Sequence, residues 1–367
     1  MKVFASLFQK AAGSRGRAPG SVAGPQHVAW MLTLTSLLLT LSGCAAGLPQ
    51  SRESGHNAVV SLLAAKTQEN GICLYAAAEG REQEDPKLFQ GQGNTPAAAV
   101  AALEDQGEQV VDRAHVEHMI LDESSPQLLP ELLSYAFRES QQSTETFLWI
   151  IRGEGLETLF SSDGDAAQRM NVLKTAAKDH QGFASVTLRE TAAILAEGDA
   201  VLLPALEADQ EGLRFWGYGL YHDGAFQTWL TGDAALGAGL LRGDTIHWTT
   251  GVEDRAMTLH STGCTVTPYF TKGTLTGLGL HCRLEGVVLG GWESAAEDPK
   301  RLEEETARCI RTAAARLQLA GQDGAELARR AGLRRWGQWT AIREQWEEQF
   351  PKLEIGVEVH LTVAERY

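Results

Sequence analysis

Cys44 ends the tetrapeptide Leu41-Ser42-Gly43-Cys44. A thiol in that setting can be alkylated by a lipid donor to a thioether, and small residues beside it let a peptidase reach the bond before it. The chain ahead suits that chemistry. Residues 28–41 are apolar or hydroxyl-bearing, Lys2, Lys10, Arg15 and Arg17 precede them, and no Asp or Glu occurs before Cys44. A basic stretch, a short apolar stretch and small residues at the cut are the layout of a secretory signal. The tetrapeptide resembles a lipobox, which makes residues 1–43 a lipoprotein signal peptide and Cys44 the lipidated first residue of the mature chain. These fourteen residues, 28–41, would rise about 21 Å as a helix, short of the ~30 Å hydrocarbon core, so a spanning helix is the weaker reading. The length of chain ahead of the apolar run suggests a start codon downstream of Met1.

Other residue types that do chemistry are present without the spacing it needs. His115, Glu117 and His118 invite a metal, but the segment reads as a strand, where positions three apart face opposite sides. Gly91-Gln92-Gly93 before a helix lacks the third glycine and the Lys-Ser/Thr of a phosphate loop. A helix N-terminus there can still hold a small anion. No GxSxG elbow or HExxH pair occurs, and Ser, His and Asp are scattered, so no catalytic residue, metal ligand or cofactor is assigned. Four cysteines remain beside Cys44: Cys73, Cys264, Cys282 and Cys309. Cys264 and Cys282 flank an expected turn at Lys272-Gly273, either as a disulfide, open to an exported protein, or as two half-buried thiols.

Charge narrows the partners. The chain has 32 Lys and Arg against 47 Asp and Glu; four cations precede Cys44, so 28 face 47 in the mature protein, a formal charge of −19. So acidic a surface repels nucleic acid, whose binding rests on neutralising phosphates. It also disfavours adsorption to an anionic membrane through charge alone. Attachment is therefore expected through acyl chains on Cys44, two or three of which hold a protein stably where one does not.

The elements expected around these residues alternate. After a polar tether at 44–57, residues 58–65 and 72–78 read as strands around a turn. Thr95 and Pro96 suit the cap and first turn of an Ala-rich helix. Residues 115–121 read as a strand, 125–143 as an amphipathic helix, 147–151 as a strand, and 152–200 as mostly helical, with Met170, Leu173, Ala192, Ile194 and Leu195 at helical spacing. Val201-Leu202-Leu203-Pro204 reads as extended. From Leu213 the texture becomes hairpin-like, with Asp223-Gly224 a strong turn signal. Residues 298–319 form a helix with Leu302, Thr306, Cys309, Ala313 and Leu317 on one face. A second helix holds Trp339, Arg343, Trp346 and Phe350, stopped by Pro351. Trp336, Trp339, Trp346 and Phe350 with Arg329, Arg330, Arg334 and Arg335 suit an interfacial membrane helix, a partner surface or a helix docked on a sheet. Glu344, Glu347 and Glu348 oppose anionic lipid, so core packing is expected. Leu353–Val363 alternates as a half-buried strand. The pattern predicts a multi-domain α+β protein with mixed and antiparallel sheets flanked by helices, divided into 58–205 and 210–367.

Several segments, taken in order, resemble the C subunits of spore germinant receptors, the Ger(x)C lipoproteins. Cys44 stands where that family's mature chain opens. Gly93-Asn94-Thr95-Pro96-Ala97-Ala98 is similar to its Gly-x-Thr before a helix. Ala114-His115, the MIL after them and Asp122-Glu123 are similar to a Gly-His strand ending in an acidic pair. Residues 128–153 resemble its next helix and strand, and residues 216–226 (WGYGLYHDGAF) its second-half hairpin. Trp339, Trp346, Phe350-Pro351 and the last strand resemble its ending. Ala45-Ala46-Gly47 replaces the family's usual Trp-Asp, Arg52-Glu53 is a faint echo of its basic residues leading to Glu-Ile or Glu-Leu, and Ala114 replaces a glycine. The resemblance implies three α+β domains and a non-catalytic subunit of a nutrient receptor. It would be lipid-anchored on the outer face of the spore inner membrane beside two polytopic partners, the A and B subunits. Cys44 is the one functional residue it transfers. The alternative is a lipid-anchored solute-binding protein of a transporter, for which two similar doubly wound lobes are expected.

Overall fold

Two short runs in the first half are apolar on both faces, which dictates where they go. His118–Asp122 is buried at every position, and Phe147–Ile151 at its last four. Such strands belong inside a sheet with helices on both sides. The structure, a computed structural model, describes residues 57–364 apart from 70, 79–86, 106–109, 162–165, 180–181, 210–211, 244–245, 253–254 and 291–296. Its strands are Asn57–Gln68 (β1), Gly71–Ala78 (β2), Lys87–Gly93 (β3), Val110–Asp112 (β4), His118–Asp122 (β5), Phe147–Ile151 (β6), Val201–Ala208 (β7), Leu213–His222 (β8), Ala225–Thr231 (β9), His247–Val252 (β10), Arg255–Thr271 (β11), Thr274–Gly290 (β12) and Glu354–Ala364 (β13). The helices are Pro96–Glu104 (α1), Leu128–Arg138 (α2), Gly155–Ser161 (α3), Ala166–Lys178 (α4), Leu188–Ala196 (α5), Asp233–Arg242 (α6), Glu297–Ala320 (α7), Leu327–Arg334 (α8) and Trp339–Gln349 (α9).

The larger sheet has nine strands in the order β3-β2-β1-β5-β6-β7-β8-β9, with β4 beside the start of β1. β1, β5, β6 and β7 run parallel, and antiparallel strands complete both edges. Leu148 and Ile150 share one core with Leu129 of α2, Ala99 of α1 and Leu188 of α5. Trp149 and Ile151 share the other with Leu156 of α3, Met170 of α4 and Leu241 of α6. The smaller sheet, β10-β11-β12-β13, is buried on one face. Leu278, Leu280, Cys282 and Leu284 point into the core while Arg283 and Glu285 are exposed. β13 keeps the same alternation and pairs parallel to β12, which requires the crossover that α7, α8 and α9 supply.

Local chemistry explains the turns and caps. Asp223 and Gly224 have φ of 49° and 74°, and Lys272 and Gly273 of 52° and 87°, the left-handed pair that a two-residue hairpin requires. The Thr95 hydroxyl accepts the Ala98 N–H at 3.2 Å and caps α1. On α7 the expected stripe of Leu302, Thr306, Cys309, Ala313 and Leu317 is buried. Cys264 and Cys282 sit opposite each other in β11 and β12 and form a disulfide. The mixed α+β architecture of two sheets flanked by helices agrees with the sequence.

Several boundaries differ. The strand expected from residue 115 begins at His118, because residues 114 and 115 turn in solvent. The helix expected over 125–143 spans only Leu128–Arg138; Glu139 leaves helical geometry with ψ of 118°. The mostly helical 152–200 resolves into α3, α4 and α5. α6 and β3 go unforeseen: DAALGAGLLR is rich in glycine and small residues, and Gly91 and Gly93 make β3 look like a loop. Residues 205–210, between the two expected domains, run from within β7 into the loop before β8, and these strands pair antiparallel in one sheet. The core shared by Leu62, Trp149, Leu280 and Leu317 spans both sheets, and residues 55–367 form one compact unit.

Glycine at 237 is required by packing. A Cβ there would stand 2.0 Å from the Cys309 carbonyl oxygen, backbone against backbone on α6 and α7. Gly237→Ala should therefore lower the stability of residues 55–367 by about 1–3 kcal/mol in urea unfolding. The sign is informative, because helix propensity alone favours alanine by about 1 kcal/mol.

Candidate functional site

Cys44, the residue the sequence places first, lies outside the described residues with the rest of 1–56. Gly91 and Gly93 face α1: a Cβ on either would lie 2.2 Å from Ala99 O or 2.4 Å from Ala99 N. These glycines let helix and strand approach, and Thr95 already occupies a first-turn N–H of the helix. His115 is exposed in the turn before β5 while His118 is buried in the strand, so the separation comes from the turn and not from opposite faces of one strand. Glu117 pairs with Lys174 of α4. Among the described residues no group of three His, Cys, Asp or Glu is placed to hold a metal ion.

His118 is held for structural reasons. Its Nδ1 accepts the Trp149 indole N–H at 3.2 Å, which leaves the proton on Nε2. Burial, helped by the Lys174 charge, pushes its pKa down to about 3. A lowered histidine pKa favours folding above the unfolded value near 6.5, and the benefit is lost as pH falls toward 3.

The carboxyl ends of parallel strands are where open α/β sheets hold ligands. Here Lys66 of β1, Asp122 of β5 and Glu157 of α3 meet. Lys66 lies 3.7 Å from Asp122 and forms an ion pair with Glu157. The hydrogen bond to Glu157 raises the Lys66 pKa, against the opposing effect of burial. Asp122 also accepts the Ser124 N–H at 2.9 Å, Ser125 accepts the Thr67 N–H at 2.7 Å, and Gln127 donates to the Thr67 hydroxyl at 2.9 Å. These contacts tie the strand ends together, and Asp122 Oδ2, buried without a hydrogen bond, faces Lys66 across the 3.7 Å ion pair. Beside them Arg152 pairs with Glu123 at 3.2 Å, and its guanidinium stacks 3.6 Å above Trp216. No sequence spacing signals either cluster, because their members come from distant elements.

A cavity of about 350 Å³ opens between α5, the start of β7 and the loop before α8. Glu197, Asp199, Arg242 and Arg329 give its wall both signs of charge. Burial, then Glu197, raise the Asp199 pKa. Behind it Asp323 accepts N–H bonds from Ala325, Leu327 and Ala328 at 3.3, 3.0 and 2.7 Å. Asp323 keeps some exposed surface, yet its carboxylate is enclosed, and burial pushes its pKa up to about 6. At the Trp-rich end Trp346 and Phe350 are buried and stacked, as expected, but Trp336 is 73% exposed. It lies just past α8 in a 3-10 turn at Trp336–Gln338 whose residues are all exposed, outside the helix-on-sheet packing foreseen for it.

No protein-family model and no curated protein matches the sequence. The fold does have a counterpart. It superposes on the crystal structure of the GerBC protein with a TM-score of 0.55 and 13% identity, over 81% of this chain and 99% of that one. The chain is similar in fold to GerBC. The resemblance read from the sequence is thus borne out in the architecture. The GerBC-like body contains a nine-stranded and a four-stranded sheet, which two similar lobes would not give.

The His118 linkage can be measured. Going from pH 7 to pH 4, wild type should lose stability relative to His118→Gln by up to about 3 kcal/mol in paired denaturant titrations. The variant has no imidazole to charge on unfolding, and the carboxylates common to both proteins cancel.

Proposed function

We propose that this chain is the lipid-anchored C subunit of a nutrient germinant receptor in spore germination, a divergent member of the Ger(x)C family. Acyl chains on Cys44 would hold it on the outer face of the inner membrane beside the polytopic A and B subunits. Its role would be structural and signalling rather than catalytic. The observation that carries the reading is the likeness to GerBC along 99% of that protein's chain. The ordered segments of the sequence and the lipobox-like tetrapeptide support it. No helix among the described residues is long and apolar enough to cross a membrane, and the reading assigns attachment to Cys44. The thirteen residue steps from Cys44 to Asn57 reach at most about 45 Å when extended, so the folded body would stay close to the bilayer.

A second reading, a solute-binding protein of a transporter, draws on the mixed-charge cavity beside Asp199 and Arg242. Deletion of the gene separates the two. Spores lacking it should lose their response to at least one nutrient, and a Cys44→Ala strain should show a partial or full defect. Normal germination of the deletion strain across many nutrients, with uptake of a solute impaired, would overturn the receptor reading in favour of transport.

A further inference from the structure

The exposed end of α8 brings exposed apolar and cationic side chains into one short run. Leu333 is 68% exposed and Trp336 is 73% exposed, with Arg334 and Arg335 exposed between them. Neighbouring arginines are engaged: Arg329 pairs with Glu326, and Arg330 donates to the carbonyls of Leu241 and Cys264. The side chains of Arg334 and Arg335 have no partner among the described residues. Four consecutive exposed residues thus carry two guanidinium groups without side-chain partners among the described residues, a leucine and an indole, in a chain whose formal charge is −15.

We infer that Leu333, Arg334, Arg335 and Trp336 form a surface that binds anionic phospholipid headgroups. Indole rings prefer the membrane interface, and long cationic side chains reach from an apolar contact to the phosphates. Basic residues near such a surface add attraction that decays within a Debye length of roughly 8 Å. The acids of α9 act over that distance too. Glu344 stands beside Arg343, and Glu347 and Glu348 lie on the order of 12 Å along the helix from its start, beyond the screening length. A protein partner is the less favoured occupant. Two apolar side chains fall far short of the roughly 800 Å² that each side of a stable protein interface buries, whereas insertion at headgroup depth needs no more. The inference stands without the lipid on Cys44, although an acyl tether would bring this surface to the bilayer.

The test uses residues 55–367, the compact unit, which lacks Cys44. It should co-float with vesicles of phosphatidylglycerol and phosphatidylcholine and not with phosphatidylcholine alone. Arg334→Glu with Arg335→Glu should weaken that binding at least about tenfold, Trp336→Ala should weaken it several-fold, and added salt should release the protein. Arg138→Glu, at an exposed cation on α2, should change little. Unchanged thermal melting of the variants would show that the fold survives. Equal binding to neutral vesicles, or binding indifferent to Arg334 and Arg335, would overturn the inference. So would the absence of vesicle binding combined with loss of a detergent-solubilised membrane protein from pull-downs with the same variants, which would assign the surface to a protein contact. Because the fragment has no anchor, these outcomes are independent of whether Cys44 is lipidated and of whether deletion impairs germination.

Discussion

The close approach of α6 and α7 at Gly237 and Cys309 is the constraint on which the rest of the molecule depends. α6 comes directly after the edge strand β9 of the large sheet, and α7 leads from β12 toward β13 of the small one. Their backbones meet only because Gly237 carries no side chain. Around that contact Leu241, Leu280, Ile310 and Leu317 belong to one core. Neither sheet could bury its inner face without the other, since the four-stranded sheet has only one apolar face and the large sheet needs cover on both.

That arrangement decides what is left for function. The charged groups at the ends of β1 and β5 are spent on holding strand ends together, and the buried His118 supports the indole of Trp149. Among the described residues, what those pairs leave over lies at the margins: a mixed-charge cavity beside α5 and the exposed end of α8.

Much of this is legible in the sequence where one physical rule dominates. Leu353–Val363 alternates because one face is buried, and Asp223-Gly224 and Lys272-Gly273 announce hairpins because their backbone must turn left-handed. The α7 stripe is equally clear. Elements whose residues serve close packing are harder to see. DAALGAGLLR gives no clear helical signal because its glycines weaken a helix, yet Gly237 is what admits α7. Gly91 and Gly93 suggest a phosphate loop for the same reason, and they sit in a strand against α1. Trp336 and Trp346 look alike in sequence, but one is exposed and the other buried; the break between α8 and α9 separates them. The Lys66, Asp122 and Glu157 cluster joins residues far apart in the chain and leaves no local signal. The Cys44 tetrapeptide is the reverse case, plain in sequence and outside the described fold.

The most direct measurement is to purify the tagged chain from detergent-solubilised spore inner membranes and identify what elutes with it by mass spectrometry. A germinant receptor C subunit should bring down two polytopic membrane proteins in constant proportion. Elution alone, or together with a permease and an ATPase, would contradict the receptor account.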